Sequence, residues 1–254
     1  MLALETLEFL RIATTFVVFV FVAILDWKYR EIDPRIWIAP IALGILADIY
    51  RAFSTNLSLV DVASAIMSLI IVGIMGIATF VLRAVGGADF LAIASIVALY
   101  PFPKALTFAD LFLPPQVPLP PILPILLYAC ISVIVVLLLN VAINVARRSI
   151  AEKLDLPKSR KILYALIGRY CYLEEFLRKR FWYPLYVPGI VDRKSFDVEE
   201  DDAAWREKLK GLDPSTPMVA TWGIPLVSFL SIATLIYLFL GSYPLELVLN
   251  LARW

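Results

Sequence analysis

The feature that most constrains this chain is a series of apolar stretches, each long enough to leave water. Sparsely charged runs occupy about residues 7–25, 36–53, 59–82, 89–103, 122–146 and 218–240. A helix rises about 1.5 Å per residue and the hydrocarbon of a bilayer is ~30 Å thick, so ~20 such residues cross it. With 61% hydrophobic and 18% charged residues among 254, the chain has more apolar surface than a soluble fold of this length hides. These runs predict an all-α polytopic membrane protein with six transmembrane helices. The fourth, "ADFLAIASIVALYPF", is short and predicts a helix shielded by its neighbours. The proline-rich "YPFPKALTFADLFLPPQVPLPPILP" that follows reads as an ordered external loop. The first run lacks the small-residue exit of a cleaved signal peptide and reads as retained.

The basic residues orient these spans. Nineteen of the 23 lysines and arginines fall on one side: Lys28, Arg30 and Arg35 in the turn at 26–35, Arg83, and those between 147 and 217. Arg11, Arg51, Lys104 and Arg253 are left for the other side. The positive-inside rule makes the first side cytoplasmic and puts the N-terminus outside. Three parts follow: a membrane domain at 1–146 with five spans, a small cytoplasmic insertion at 147–217, and residues 218–254 with the sixth span and an external C-terminal tail. Within the insertion, residues 160–182 mix leucine, isoleucine and aromatic side chains with arginine and lysine. That mixture fits a helix lying on the membrane surface or packing inside a small soluble domain.

The side-chain inventory limits the chemistry. There is no histidine, which removes histidine general bases and histidine-ligated metals. Cys130 and Cys171 lack the spacing of a metal site or a disulfide framework. No metal or cofactor is therefore called. The net charge is +1, with the charges segregated along the chain, and no nucleic-acid partner is called.

Proton chemistry then falls to carboxylates, and two stand at one depth. Asp26 in "FVAILDWKYREIDPRIW" ends the first span, and Asp89 in "RAVGGADFLAIAS" opens the fourth, both at the cytoplasmic edge. A charged acid at that boundary costs roughly 2 to 3 kcal/mol, which marks the pair as a functional site. Two nearby carboxyls share a proton, so one can take a proton from water while the other donates to a carbonyl oxygen. Helix direction predicts Asp89 as the anion and Asp26 as the holder of the shared proton. Gly86 and Gly87 leave room for an extended backbone and supply φ freedom for the turn. Asp48 stands three residues before Arg51 and reads as its local partner, Arg11 reads as snorkelling outward, and Lys28, Arg30 and Arg83 read as fixing topology. The competing class is a carrier or assembly scaffold whose acids bind protons, although no internal repeat is visible.

Asp26, Arg30 and Ile32 form a D-x3-R-x-I pattern in "LDWKYREIDPRIW", and "GGADFLA" follows two spans later. Together they resemble the paired-aspartate signature of the GxGD membrane aspartyl proteases, most of all the archaeal preflagellin (archaellin) and prepilin peptidases. The resemblance covers nearly the whole chain. It implies a membrane aspartyl endopeptidase with Asp26 and Asp89 catalytic and with Gly86, Gly87 and Ala88 as their motif support. Its partners would be membrane lipid and, as substrates, archaellin and type IV pilin-like precursors, whose short basic leaders are cut at the cytoplasmic face of the cell membrane. Ala88 stands where the strict motif has glycine, and Asp33 intervenes before Pro34. The cysteine-rich segment of the bifunctional bacterial relatives is missing, so peptidase activity alone is implied. "FDVEEDD" places five acids in six positions from Asp197 to Asp202. Such a run is a solvated face or, in Glu199, Glu200, Asp201 and Asp202, a site for the basic leader.

Overall fold

The computed structural model describes residues 2–83, 85–103, 118–197 and 200–246. The chain divides into two compact units, one of residues 1–131 with 225–254 and one of residues 132–224.

The first unit opens with α1, Leu2–Tyr29, which ends where Arg30 turns into the left-handed region at φ 60°. Asp33 accepts the Arg35 N–H at 2.9 Å and Pro34 starts a 3₁₀ turn, Pro34–Trp37, leading into α2, Ile38–Ser54. A proline suits this position because its φ is already helical and its missing N–H would have no partner there. Helix α3, Leu59–Phe80, begins with a reciprocal cap: Asp61 accepts the Ser58 N–H at 2.9 Å, and Ser58 Oγ accepts the Asp61 N–H at 3.2 Å. Arg83, at φ 51°, reverses the chain into α4, Gly87–Leu99. Helix α5, Ile122–Ala146, begins in this unit and ends in the other, and α10, Leu226–Leu240, completes the first.

Among the described residues, four helical segments are long and apolar enough to cross a membrane, at Leu4–Tyr29, Pro34–Ser54, Leu59–Phe80 and Ile122–Ala146, with α4 and α10 shorter. The chain is a multi-pass membrane protein. Helix α4 is short because it is enclosed: Ala92, Ile96 and Leu99 have no exposed surface, while Val17, Leu69 and Phe80 on α1 and α3 are 71%, 64% and 69% exposed. Residues expected to begin the last span, 218–222, are instead strand, and its helix starts at Leu226.

Several polar groups inside this unit find partners within it, as a hydrocarbon surrounding favours. Thr15 and Tyr100 share a hydrogen bond at 2.6 Å, and Ser64 donates to the Pro101 carbonyl at 2.7 Å. Arg11 corrects the snorkelling expectation. It is 1% exposed, forms an ion pair with Asp48, and donates to the Gly44 carbonyl at 3.1 Å. Asp48 is thereby the partner of Arg11 across α1 and α2, not the local partner of Arg51, which lies 3.8 Å from Asp61. Much of the proline-rich segment, 104–117, with Lys104, lies outside the described residues, as does the tail at 247–254 with Arg253.

The second unit corrects the all-α expectation. After α6, Arg148–Glu152, and α7, Lys158–Ile167, come β1 (Arg169–Tyr172), α8 (Leu173–Leu177), β2 (Trp182–Val187), β3 (Val191–Asp192), α9 (Asp202–Leu209) and β4 (Pro217–Trp222). The strands form an antiparallel sheet in the order β1-β4-β2-β3. Pro184 has no N–H to give the ladder, and the β2 to β4 register shifts between Pro184 and Tyr186, where a bulge absorbs it. Cys171, Leu173, Phe176, Met218 and Ala220, none of them exposed, anchor a core under the sheet. Residues 160–182 therefore pack into a small domain as helix, strand and helix rather than forming one surface helix. Asn144 near the end of α5 fastens this domain: its amide donates to the Ala165 and Gly168 carbonyls at 2.9 and 2.7 Å and accepts the Tyr170 N–H at 2.9 Å.

Candidate active site

Asp26 lies in the last turns of α1, 7% exposed. One of its oxygens accepts two hydrogen bonds from Ser228, from the backbone N–H at 2.8 Å and from the hydroxyl at 3.0 Å. The same hydroxyl lies 3.0 Å from the Ala23 carbonyl, and with a single proton it divides its donation between them. Ser228 sits in the first turn of α10, where backbone N–H groups have no helical acceptor. The carboxylate supplies one.

Asp89 likewise accepts at a helix N-terminus, that of its own helix α4. It stands in the first turn, half-buried, and one of its oxygens accepts the Gly86 N–H at 3.2 Å. Its carboxylate lies within electrostatic range of Asp26 and of the Arg30 guanidinium. The two acids thus share one site, where the end of α1 meets the starts of α4 and α10. Asp26 touches both a C-terminal helix end, its own, and an N-terminal one, that of α10. The division of roles predicted from helix ends alone therefore has no basis, since each acid accepts an N–H at a helix N-terminus.

Gly87 contributes space, and neither motif glycine takes a left-handed backbone. Gly86 has φ −69°, which any residue adopts, and a Cβ built on Gly87 would meet nothing within 4 Å. Ala88 is half-buried beside the core of the first unit. The left-handed positions near the motifs belong to Arg30 and Arg83.

The acidic run lies in the second unit and is engaged by its own fold. Glu200 pairs with Arg193 and accepts the Trp205 indole N–H at 2.7 Å. Asp201 caps α9 by accepting the Ala203 N–H at 2.8 Å, and Asp202 pairs with Arg206 and accepts the Phe181 N–H at 2.6 Å. Glu199 lies outside the described residues. Among the described residues no three cysteine, aspartate or glutamate side chains converge as metal ligands.

Two residues of the aspartate site escaped sequence reasoning. Ser228 carries no motif, and its only signal is a polar residue in the first turn of an apolar helix. Arg30 is legible as part of D-x3-R-x-I, yet its place in a basic turn points only to a topological role.

The type IV leader peptidase family model matches residues 13–139, a segment that contains both Asp26 and Asp89. The preflagellin peptidase of Methanococcus voltae is 25% identical over 240 residues, covering 89% of this chain and 93% of that protein. A protease is therefore indicated in place of a carrier or scaffold, and the chain belongs to the type IV leader peptidase family.

Proposed function

We propose that this protein is a membrane aspartyl endopeptidase that removes short basic leader peptides from archaellin and type IV pilin-like precursors, using Asp26 and Asp89 to activate water. The reading is supported most by one observation: two acids from α1 and α4 share a site in the membrane unit, each with one oxygen held by a helix-terminal N–H. In this reading the other oxygen of each takes water or the shared proton.

In the proposed reaction one carboxylate takes a proton from water as the water oxygen bonds to the scissile carbonyl carbon. The other, protonated, gives its proton to the carbonyl oxygen. The tetrahedral diol then collapses. Its C–N bond breaks as the leaving nitrogen takes a proton from the carboxyl that received one from water, and the diol returns a proton to the other aspartate. The pair ends with the single proton it began with.

In this reading α1, α2, α3, α4, α5 and α10 form six spans, the loops rich in lysine and arginine face the cytoplasm, and the N-terminus lies outside. The aspartates are then at the cytoplasmic membrane face, where a basic leader waits while the adjoining apolar helix of the precursor lies in the bilayer. The test is cleavage of a purified prepilin-like precursor in detergent by wild type, Asp26→Asn and Asp89→Asn, scored by the change in substrate size. Cleavage by wild type alone, with both variants folded, is expected. An active variant at either position would remove that aspartate from the mechanism.

A further inference from the structure

The second unit has a groove that the peptidase reading does not use. It lies between the end of α5, α6 and α7, holds about 350 Å³, and is lined by Asn144, Val145, Arg148, Lys161 and Ile162 among others. That volume is near the lower end of the range for ligand clefts, about 300 to 1,000 Å³.

The depth of the groove follows from α5. Asn140 and Asn144 of this helix donate to the Leu166, Ala165 and Gly168 carbonyls at the end of α7. Helix α5 begins at Ile122, so Asn140 and Asn144 come at about 27 to 33 Å of helical rise, which is the thickness of the hydrocarbon layer. Helix α7 is therefore tied to α5 at the level of the membrane surface. Its outward face carries Ile162, 65% exposed, and Leu166, 40% exposed, and Val145 on α5 is 71% exposed beside them. Lys158, at the start of the same face, is exposed, and Lys161 is half-buried in the groove. Arg148 meets Glu152 in an exposed i,i+4 pair, with side-chain exposures of 83% and 64%. Such a pair is weak and yields readily to a competing anion. Asp155, the next acid along the chain, is also exposed.

Apolar side chains at the acyl boundary with cations above them are the pattern of a helix seated in a lipid interface, where lysine and arginine reach up to phosphate. The apolar face continues that of a membrane span, and the groove beside it is basic. We propose that the groove between α5, α6 and α7 binds the phosphate headgroup of an anionic phospholipid through Arg148 and Lys161, with Ile162 and Leu166 immersed beside its acyl chains. The proposal rests on α5 as a membrane span and not on the peptidase chemistry.

The test uses the full chain in detergent and native mass spectrometry, with dioctanoyl phosphatidylglycerol, dioctanoyl phosphatidylcholine and inorganic phosphate as probes. Each cation near an anionic lipid surface contributes roughly fivefold in affinity. Wild type should therefore retain phosphatidylglycerol over phosphatidylcholine by about ten- to thirtyfold, and the pair Arg148→Gln with Lys161→Gln should lose that preference. The charge-keeping pair Arg148→Lys with Lys161→Arg should stay within about threefold of wild type, and equal thermal melting of all three proteins shows that folding is not the cause. The proposal is overturned if wild type shows no preference, if the glutamine pair keeps it, if the charge-keeping pair loses it, or if millimolar inorganic phosphate displaces the lipid, which would mark a site for small anions. Lipid retention is read without any substrate, so a chain that bound the lipid and cut no precursor would sink the proposed function and leave this inference standing.

Discussion

Ser228 donates twice to Asp26, its backbone N–H at 2.8 Å and its hydroxyl at 3.0 Å converging on one carboxylate oxygen. This orients the acid, and in the proposed mechanism its second oxygen takes water or the shared proton. Ser228→Ala removes the hydroxyl but keeps the backbone donor, so the site should loosen without collapsing. A hydrogen bond to a charged group is worth about 1.5 to 3 kcal/mol, part of which remains with the N–H. The expected result is a fall of about tenfold in kcat, an unchanged KM and unchanged melting. Because Ser228 acts through Asp26 as a positioning residue, the pH profile of kcat should move in Ser228→Ala and return in Ser228→Thr. An unchanged profile would reduce Ser228 to packing.

Two glycines on neighbouring helices should respond in opposite ways. A Cβ on Gly44 would stand 2.2 Å from the Ala98 carbonyl oxygen and 2.8 Å from the Leu99 nitrogen, all backbone, whereas one on Gly87 meets nothing within 4 Å. Gly44→Ala must push α2 from α4 and should destabilise by about 1 to 3 kcal/mol. Gly87→Ala should melt like wild type. If the space at Gly87 serves the substrate backbone, the alanine raises KM for a precursor by several-fold, and an unchanged KM would show that the substrate passes elsewhere.

The Arg11 to Asp48 pair is buried, with side-chain exposures of 2% and 21%, and Glu8 lies 3.3 Å from the same guanidinium. Breaking a buried pair from one side leaves a charge with too few partners, at a cost of about 3 to 5 kcal/mol, while replacing both partners costs much less. Asp48→Leu should therefore lower the melting temperature more than Arg11→Leu with Asp48→Leu together. A double-mutant cycle by thermal melting in detergent reads the coupling directly. Additive single effects would mean that the pair contributes nothing as a pair.

How much of this was legible in the sequence depended on the length over which each signal is spread. Apolar runs of about 20 residues survive local exceptions, so α1, α2, α3 and α5 could be read directly. The sheet could not, because β1 is four residues, β3 is two, and β1 pairs with β4 across most of the insertion. Asp26 and Asp89 stood out because charge is expensive at a membrane boundary. Ser228 did not, since a hydroxyl inside an apolar helix is cheap and forms no pattern. Proximity along the chain also misled: Arg51 follows Asp48 by three residues, yet the partner of Asp48 is Arg11, 37 residues away. Local spacing predicts pairs on one helix and is silent about helices packed side by side.

The acidic run offers a test by pH through Glu200, which lies outside the long apolar helical segments. Burial works to raise its pKa, but the Arg193 guanidinium, the Asp197 N–H at 2.9 Å and the Trp205 indole N–H at 2.7 Å overcome it and hold the group below the usual carboxylate range. A depressed folded value means stability that is present above the unfolded pKa of about 4.3 and lost as pH falls through the folded value. Glu200→Gln should therefore melt lower than wild type at neutral pH, by about 1 to 3 kcal/mol in stability, and the two curves should converge as pH falls below about 4. The same run can be asked about substrate. Asp201 is exposed and its bond to the Ala203 N–H can be kept by asparagine. Asp201→Asn should raise KM for a basic leader in low salt but not in high salt if the run attracts it, with melting unchanged. A KM that ignores both the substitution and the salt would confine Glu200, Asp201 and Asp202 to holding their own domain together.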